Sequence, residues 1–197
     1  MQDILVVDNH SVVPGLLTGG PVLDAGARGF VFAKWFGDRG HTVIAVDPSP
    51  DIATEEPSRN VFVKKFALVG RGYPKLMSLE MGNDPNAWHI KYDGSFDSVP
   101  VETITLDDLP YKWDLIKLNI EGSEYDILDQ IDGPIARQIV FSFHEHTGRH
   151  RGRRECDRII DKLRKWYDVH NQTWEQRYGC RENYWDILCT ERGLSHA

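Results

Sequence analysis

The chain has 197 residues, 41% of them apolar and 27% charged, enough for one globular domain with a substantial core. Its net charge of -7 argues against a general nucleic-acid binder or a membrane-surface binder. The 3 cysteines, Cys156, Cys180 and Cys189, are scattered and form no CxxC pair, so neither a zinc site nor a disulfide framework is expected and a reducing, cytoplasmic setting is.

The start of the chain, Met1 to Asp8, has no basic segment ahead of an apolar core and does not read as a signal peptide; no apolar run approaches a membrane span. Residues 1–20 read as a short lead-in that ends in the turn-forming Thr18-Gly19-Gly20-Pro21, and 21–197 as a single domain. Pro21 to Ala25 predicts a first strand. A helix follows from about Phe30 to Arg39, with Val31, Phe32, Trp35 and Phe36 on one face and Gly40 as its stop. Thr42 to Val46 predicts the second strand, closing in Asp47 before the breaker Pro48-Ser49-Pro50. Val61-Phe62-Val63 is a third short strand that leads into Ala67-Leu68-Val69-Gly70.

From Arg71 to Ser98 periodicity is lost and Gly, Asn, Asp and Pro accumulate, the mark of a functional or locally mobile segment. Val101 to Thr105 alternates as a strand. Trp113 to Ile120 reads as a buried central strand, and a helix after Glu121-Gly122 turns Tyr125, Leu128 and Ile131 inward. Gln138 to Phe143 is the next strand, ending in His144-Glu145-His146. Cys156, Ile159, Ile160, Leu163 and Trp166 fall at helical spacing over 153–166, and Tyr184 to Cys189 makes a terminal strand. This alternation predicts an α/β fold, a doubly wound, mostly parallel sheet with helices on both faces.

In such sheets ligands sit beyond the carboxyl ends of the strands, at the switch in strand order. Four polar clusters fall at strand ends here: Asp24 to Gly29, Asp47, Asn119 to Glu121, and His144 to His146. The first strand runs into Asp24-Ala25-Gly26-Ala27-Arg28-Gly29, whose glycines permit a close approach of backbone to ligand. The pattern is D-x-G-x-x-G, without the third glycine of the dinucleotide fingerprint. A pyrophosphate needs free amides at the helix start, whereas S-adenosylmethionine carries no phosphate and an acid-led turn suffices. Asp47, one strand-helix-strand unit later, is placed to accept from both ribose hydroxyls. The other reading of the turn is a buried glycine turn in a cofactor-free α/β protein.

Val101-Glu102-Thr103-Ile104-Thr105-Leu106-Asp107-Asp108-Leu109, followed by Asp114-Leu115-Ile116-Lys117-Leu118-Asn119-Ile120-Glu121-Gly122-Ser123-Glu124, resembles the signature of FkbM-type methyltransferases. The Asp-x-Gly-Ala turn at 24–27 and the Ala-Leu pair at 67–68 match as well, and the resemblance covers about residues 20–146. It implies a class I, Rossmann-like methyltransferase fold, S-adenosylmethionine as cofactor, and O-methylation of a sugar or natural-product hydroxyl. Carried onto this chain, the cofactor-binding residues are Asp24, Ala25, Gly26, Ala27, Arg28, Gly29, Asp47, Pro48, Ala67, Leu68 and Asn119. Two positions depart from the family pattern: Asn119 stands where the family has aspartate, and Asp47 where it often has glutamate. An amide orients a hydroxyl or accepts from an ammonium, but it does not take a proton at neutral pH.

The catalytic set is therefore Glu121, His144 and His146, with Asn119 beside them and Glu145 as orienter, since a carboxylate or an imidazole near its working pKa serves a hydroxyl acceptor. The bland readings are a strand-end imidazole satisfied by backbone for His144 and a dipole-stabilised helix carboxylate for Glu121. His144 and His146 find no third ligand at metal spacing, so no metal is expected. The basic run Arg149 to Arg154 reads as a solvated loop or as a clamp for an anionic acceptor. Trp174, Tyr178, Tyr184 and Trp185 read as core or as stacking residues, and Asn183-Tyr184-Trp185-Asp186 has no chemical assignment. The expected partner is a small-molecule acceptor, with a homodimer as one arrangement that would complete the site. The alternative reading is a non-catalytic methyltransferase-fold binding protein, supported by Asn119. A nucleic-acid methyltransferase using the basic run is opposed by the acidic balance and the lack of an N-P-P-Y-like strand end.

Overall fold

A computed structural model describes residues 3–52, 57–80, 89–91, 98–109, 111–144, 153–171 and 186–194. Leu5–Val7 (β1) and His10–Val12 (β2) pair as an antiparallel hairpin. Its two turn residues, Asp8 and Asn9, both have positive φ, 48° and 64°, as a tight two-residue hairpin turn requires.

The runs rich in Val and Ile become strands: Val22–Ala25 (β3), Val43–Val46 (β4), Val61–Lys64 (β5), Trp113–Leu118 (β10) and Ala136–Phe141 (β11). Every residue of β3, β4 and β10 is buried, so none of them alternates between an apolar and a polar face; β4 is wholly apolar, whereas β3 buries Asp24 and β10 buries Asp114 and Lys117 among apolar neighbours. Tyr167–Asn171 (β12) and Ile187–Glu191 (β13) complete a seven-stranded mixed sheet of order β12-β13-β11-β10-β3-β4-β5. Neighbours from β11 through β5 are parallel, and β13 lies antiparallel between β11 and β12. The chain adds β4 and β5 on one side of β3 and β10 and β11 on the other, so the strand order reverses between β3 and β10.

Three α-helices are described: Val31–Gly37 (α1), Glu124–Asp129 (α2) and Arg153–Leu163 (α3). Alternation along the strands sorts their buried side chains into two clusters. Leu23, Ile44, Ile116, Ile139 and Phe141 pack with Tyr125 and Leu128 of α2 and Cys156, Ile159 and Leu163 of α3. Val22, Val43, Ala45, Leu115 and Val140 pack with Phe32, Ala33 and Phe36 of α1 and with Val7 and Val12 of the hairpin. None of these helices is long and apolar enough to cross a membrane.

The stretch from Arg71 to Ser98 is less featureless than its composition suggests. It holds Leu76–Glu80 (β7) and His89–Lys91 (β8), which join Ala67–Leu68 (β6) and Ser98–Ile104 (β9) in a second sheet of order β6-β9-β7-β8. Its core of Ala67, Val69, Leu79, Ile90 and Val101 forms a third cluster. β12 is likewise a strand the sequence reading does not contain, and residues 5–16, read as lead-in, carry the hairpin and a short 3-10 turn, Pro14–Leu16.

A cleft at the switch between β3 and β10

The turn after β3 is stitched sideways to β4: Gly26 N–H donates to the Val46 carbonyl at 2.9 Å and Ala27 N–H to the same oxygen at 3.4 Å. Gly26 has φ +77°, and a Cβ there would lie 1.9 Å from the Asn119 carbonyl oxygen, so its small size serves the approach of the β10 end. Gly29 has φ +82° with open space around it, so its backbone conformation alone calls for glycine. Asp24 turns away from the cavity. Its carboxylate is buried, accepts Ala33 N–H at 3.1 Å and pairs with Lys117 at 2.8 Å; Lys117 Nζ also donates to the Gly26 carbonyl at 2.7 Å. The acid of the turn thus braces it against β10 and α1.

Asp47, at the end of β4, accepts Arg28 N–H at 3.1 Å on Oδ2 and Ser49 N–H at 2.9 Å on Oδ1. Two backbone donors fix the carboxylate, and each oxygen retains a further lone pair. The Arg28 guanidinium reaches Asp51 at 2.7 Å. One cavity runs past these groups. Val46, Asp47, Pro48 and Ser49 line one part of it, Ala67, Leu68, Leu79 and Ile90 give it an apolar wall, and Asn119, Ile120, Glu121 and Ser123 stand at the end of β10. Asp8 of the hairpin turn and Lys117 also line it, as does His89, whose ring lies 3.5 Å from Glu80.

Beyond β10 the chain makes two successive left-handed residues, Glu121 at φ 52° and Gly122 at φ 104°. The wholly buried Glu124 holds that turn, accepting Ile120 N–H at 2.8 Å and Gly122 N–H at 2.6 Å. The same carboxylate meets His144 Nδ1 at 2.7 Å, and His144 Nε2 lies 3.3 Å from Glu121 Oε1. Burial alone would depress the His144 pKa; Glu124 and Glu121 outweigh it and leave the ring above its ordinary value. Beside this chain the Asn119 side-chain oxygen is buried and has no hydrogen-bond partner among the described residues.

Gly26, Arg28, Asp47, Pro48, Ala67, Leu68, Asn119 and Glu121 therefore meet around one cavity, while Asp24, Ala25, Ala27 and His144 are buried away from it and Gly29 is exposed outside it. His146 and Glu145 lie outside the described residues, as do Arg149 to Gly152, Trp174, Tyr178, Cys180 and Asn183 to Trp185. Arg154 is exposed on α3, and Asp186, the last residue of the unassigned string, is buried and accepts Ser11 N–H and the Ser11 hydroxyl, each at 2.6 Å. No group of three or more His, Cys, Asp or Glu side chains is placed to hold a metal ion among the described residues. Sequence reasoning did not single out Asp8, Ser49, Leu79, His89, Ile90 and Ser123. For Leu79, His89 and Ile90 the usable signal was weak, a half-exposed hairpin; for Asp8 it was the hairpin turn of the lead-in.

The α/β sheet has its cleft where the strand order reverses, with acids at the strand ends and a glycine turn beside them, the place where open α/β sheets generally hold their ligands. Residues 24–170 match the family model described as Methyltransferase FkbM domain, and the chain belongs to that family of methyltransferases. Comparisons with curated proteins and with solved structures gave no match.

Proposed function

We propose that this protein is an S-adenosylmethionine-dependent methyltransferase of the doubly wound class I type that methylates a hydroxyl on a sugar or natural-product small molecule. The observation that carries the reading is Asp47, fixed by the Arg28 and Ser49 amides and facing the same cavity as Gly26, Asn119 and Glu121. The donor set fits the cofactor. Asp47 offers lone pairs to ribose hydroxyls, Pro48, Ala67 and Leu68 offer apolar surface to a base, and the Asn119 oxygen, without a hydrogen-bond partner among the described residues, suits an ammonium. The cofactor supplies an electrophilic methyl group on a sulfonium. The protein's share is to align the acceptor and receive its proton, and Glu121 is the carboxylate at the cleft wall that does so. His144, 2% exposed, acts from behind Glu121 rather than on the substrate directly.

Calorimetric titration with S-adenosylmethionine and S-adenosylhomocysteine tests the reading on native protein, Asp47→Ala and Asp47→Asn. Micromolar binding by the native chain and a tenfold or greater loss in both variants is expected, a difference of about 1.4 kcal/mol or more. Absence of binding by the native chain overturns the proposal. The second reading, a binding protein without turnover, rests on Asn119; binding without methyl transfer to any acceptor in a hydroxyl-compound screen, with transfer appearing in Asn119→Asp, would favour it.

A further inference from the structure

The contacts around His144 assign its protons. Both Glu124 oxygens accept backbone hydrogens, from Ile120 and from Gly122, so the 2.7 Å contact is a donation from His144 Nδ1–H. On the other side Nε2 faces Glu121 Oε1 at 3.3 Å. A bare ring nitrogen facing a carboxylate oxygen repels it, whereas N–H attracts it, so the doubly protonated ring satisfies both neighbours. Among the described residues, charged and titratable groups that bear on the ring include Glu124 of α2, Glu121 of the turn, Lys117 of β10 and His10 of β2. Lys117 opposes the proton, and His10 is held neutral, its pKa pushed well below the ordinary value by burial, by Lys117 and by His144 itself. Glu121 meanwhile occupies a left-handed conformation that a long side chain adopts only when its surroundings impose it.

We infer that His144 is a latch on Glu121: its imidazolium, seated on the buried Glu124, clamps the Glu121 carboxylate in its left-handed turn so that it faces the cleft. His144 is then a positioning residue that acts through Glu121. The task given to Glu121, taking a hydroxyl proton, rests on the methyl-transfer reading; the latch itself does not. When the ring loses its Nε2 proton, the lone pair left there faces Oε1 and the carboxylate is released from its hold. Methyl transfer supported by Glu121 accordingly declines as the latch deprotonates.

The test is a titration of the full chain by NMR, following the two His144 ring nitrogens and the Glu121 side-chain carboxyl carbon between pH 5 and pH 9. Both ring nitrogens protonated on the acid side of the transition, a midpoint above 6.5, and a Glu121 signal that moves with that midpoint are expected. Glu121→Gln, which alters only the cleft-side partner, shifts the midpoint down; Glu124→Gln shifts it down as well where that variant folds. A midpoint below 6.5 in the native chain, or one that Glu121→Gln leaves unmoved, overturns the latch. S-adenosylhomocysteine binding, measured in parallel, separates the two proposals. Its absence with the titration as expected sinks the methyl-transfer reading alone, and its presence with the titration failing sinks the latch alone.

Discussion

The carbonyl oxygen of Asn119 lies 1.9 Å from where a Cβ on Gly26 would sit. Two strand ends that are far apart in sequence thus close on one another with room for hydrogen only, and that closeness brings the glycine turn and the Asn119-Glu121 segment to one cavity. Gly26→Ala forces β10 or the turn to move and adds a left-handed alanine, so a loss on the order of 3 kcal/mol is expected. Gly29→Ala has the same backbone cost but open space around it, so about 1 kcal/mol is expected. Urea denaturation of the two variants decides this. Equal losses would mean that the turn gives way and the contact does not constrain it.

Behind the turn, Lys117 joins three parts of the site through Asp24 and the Gly26 carbonyl. Both side chains of the pair are almost wholly buried, 3% and 1% exposed. Lys117→Met strands the Asp24 carboxylate with a single backbone donor, Ala33 N–H, at a cost of roughly 3–5 kcal/mol. Adding Asp24→Asn removes the stranded charge and keeps an acceptor for Ala33, so the double variant is more stable than Lys117→Met alone. A double-mutant cycle with no coupling would show that the pair contributes nothing as a pair.

The strands that carry the site were readable because they are buried on both faces: Val43 to Val46 is a wholly apolar run, and Trp113 to Leu118 is apolar at four of its six positions, Asp114 and Lys117 being the exceptions. Their polar ends stood out for the same reason, which made Asp47, Asn119 and Glu121 visible. β7 was not readable. It pairs with partners on both sides, yet Leu76 is 61% exposed and Met77 only partly buried, so neither an alternation nor a run appears. The supporting layer was hidden for a different reason, its long range in sequence. Glu124 looks like a helix-start carboxylate until His144, 20 residues on, is seen against it. Nor does anything local reveal that Asp24 spends its charge on Lys117 rather than on the cleft.

Ser11 and Asp186, 175 residues apart, show the same difficulty at the edge of the molecule. Asp186 accepts both hydrogens of Ser11, and Gln138 pairs with Val13 as a strand would, accepting its N–H at 2.8 Å and donating to its carbonyl at 3.0 Å. These clamps hold the hairpin whose turn brings Asp8 to the cavity. Asp186→Ala leaves the Ser11 amide buried without its acceptor and is expected to cost about 2–3 kcal/mol. Amide exchange should accelerate at Ser11 while Ile159 and Leu163 in α3 keep their protection. Unchanged exchange at Ser11 would mean that the Asp186 clamp is dispensable and that the Gln138–Val13 pair and the packing of Val7 and Val12 hold the hairpin.

The two buried histidines beside the cleft have opposite pH signatures. His10 is pushed well below the ordinary 6.5, chiefly by burial, so the unfolded chain binds its proton before the folded one does. Its contribution is present above pH 6.5 and lost as pH falls through the folded value. His144 is raised, because Glu124 and Glu121 outweigh its burial, so its contribution is full below pH 6.5 and lost as pH rises through the folded value. Each limb can be no steeper than one proton, about 1.4 kcal/mol per pH unit. Denaturation of native protein, His10→Leu and His144→Gln across pH 5 to 9 separates them. His10→Leu should gain on the native chain only on the acid side, and the penalty of His144→Gln should shrink only on the alkaline side. Curves that run parallel at every pH would assign both histidines to packing and leave neither with a proton to exchange on folding.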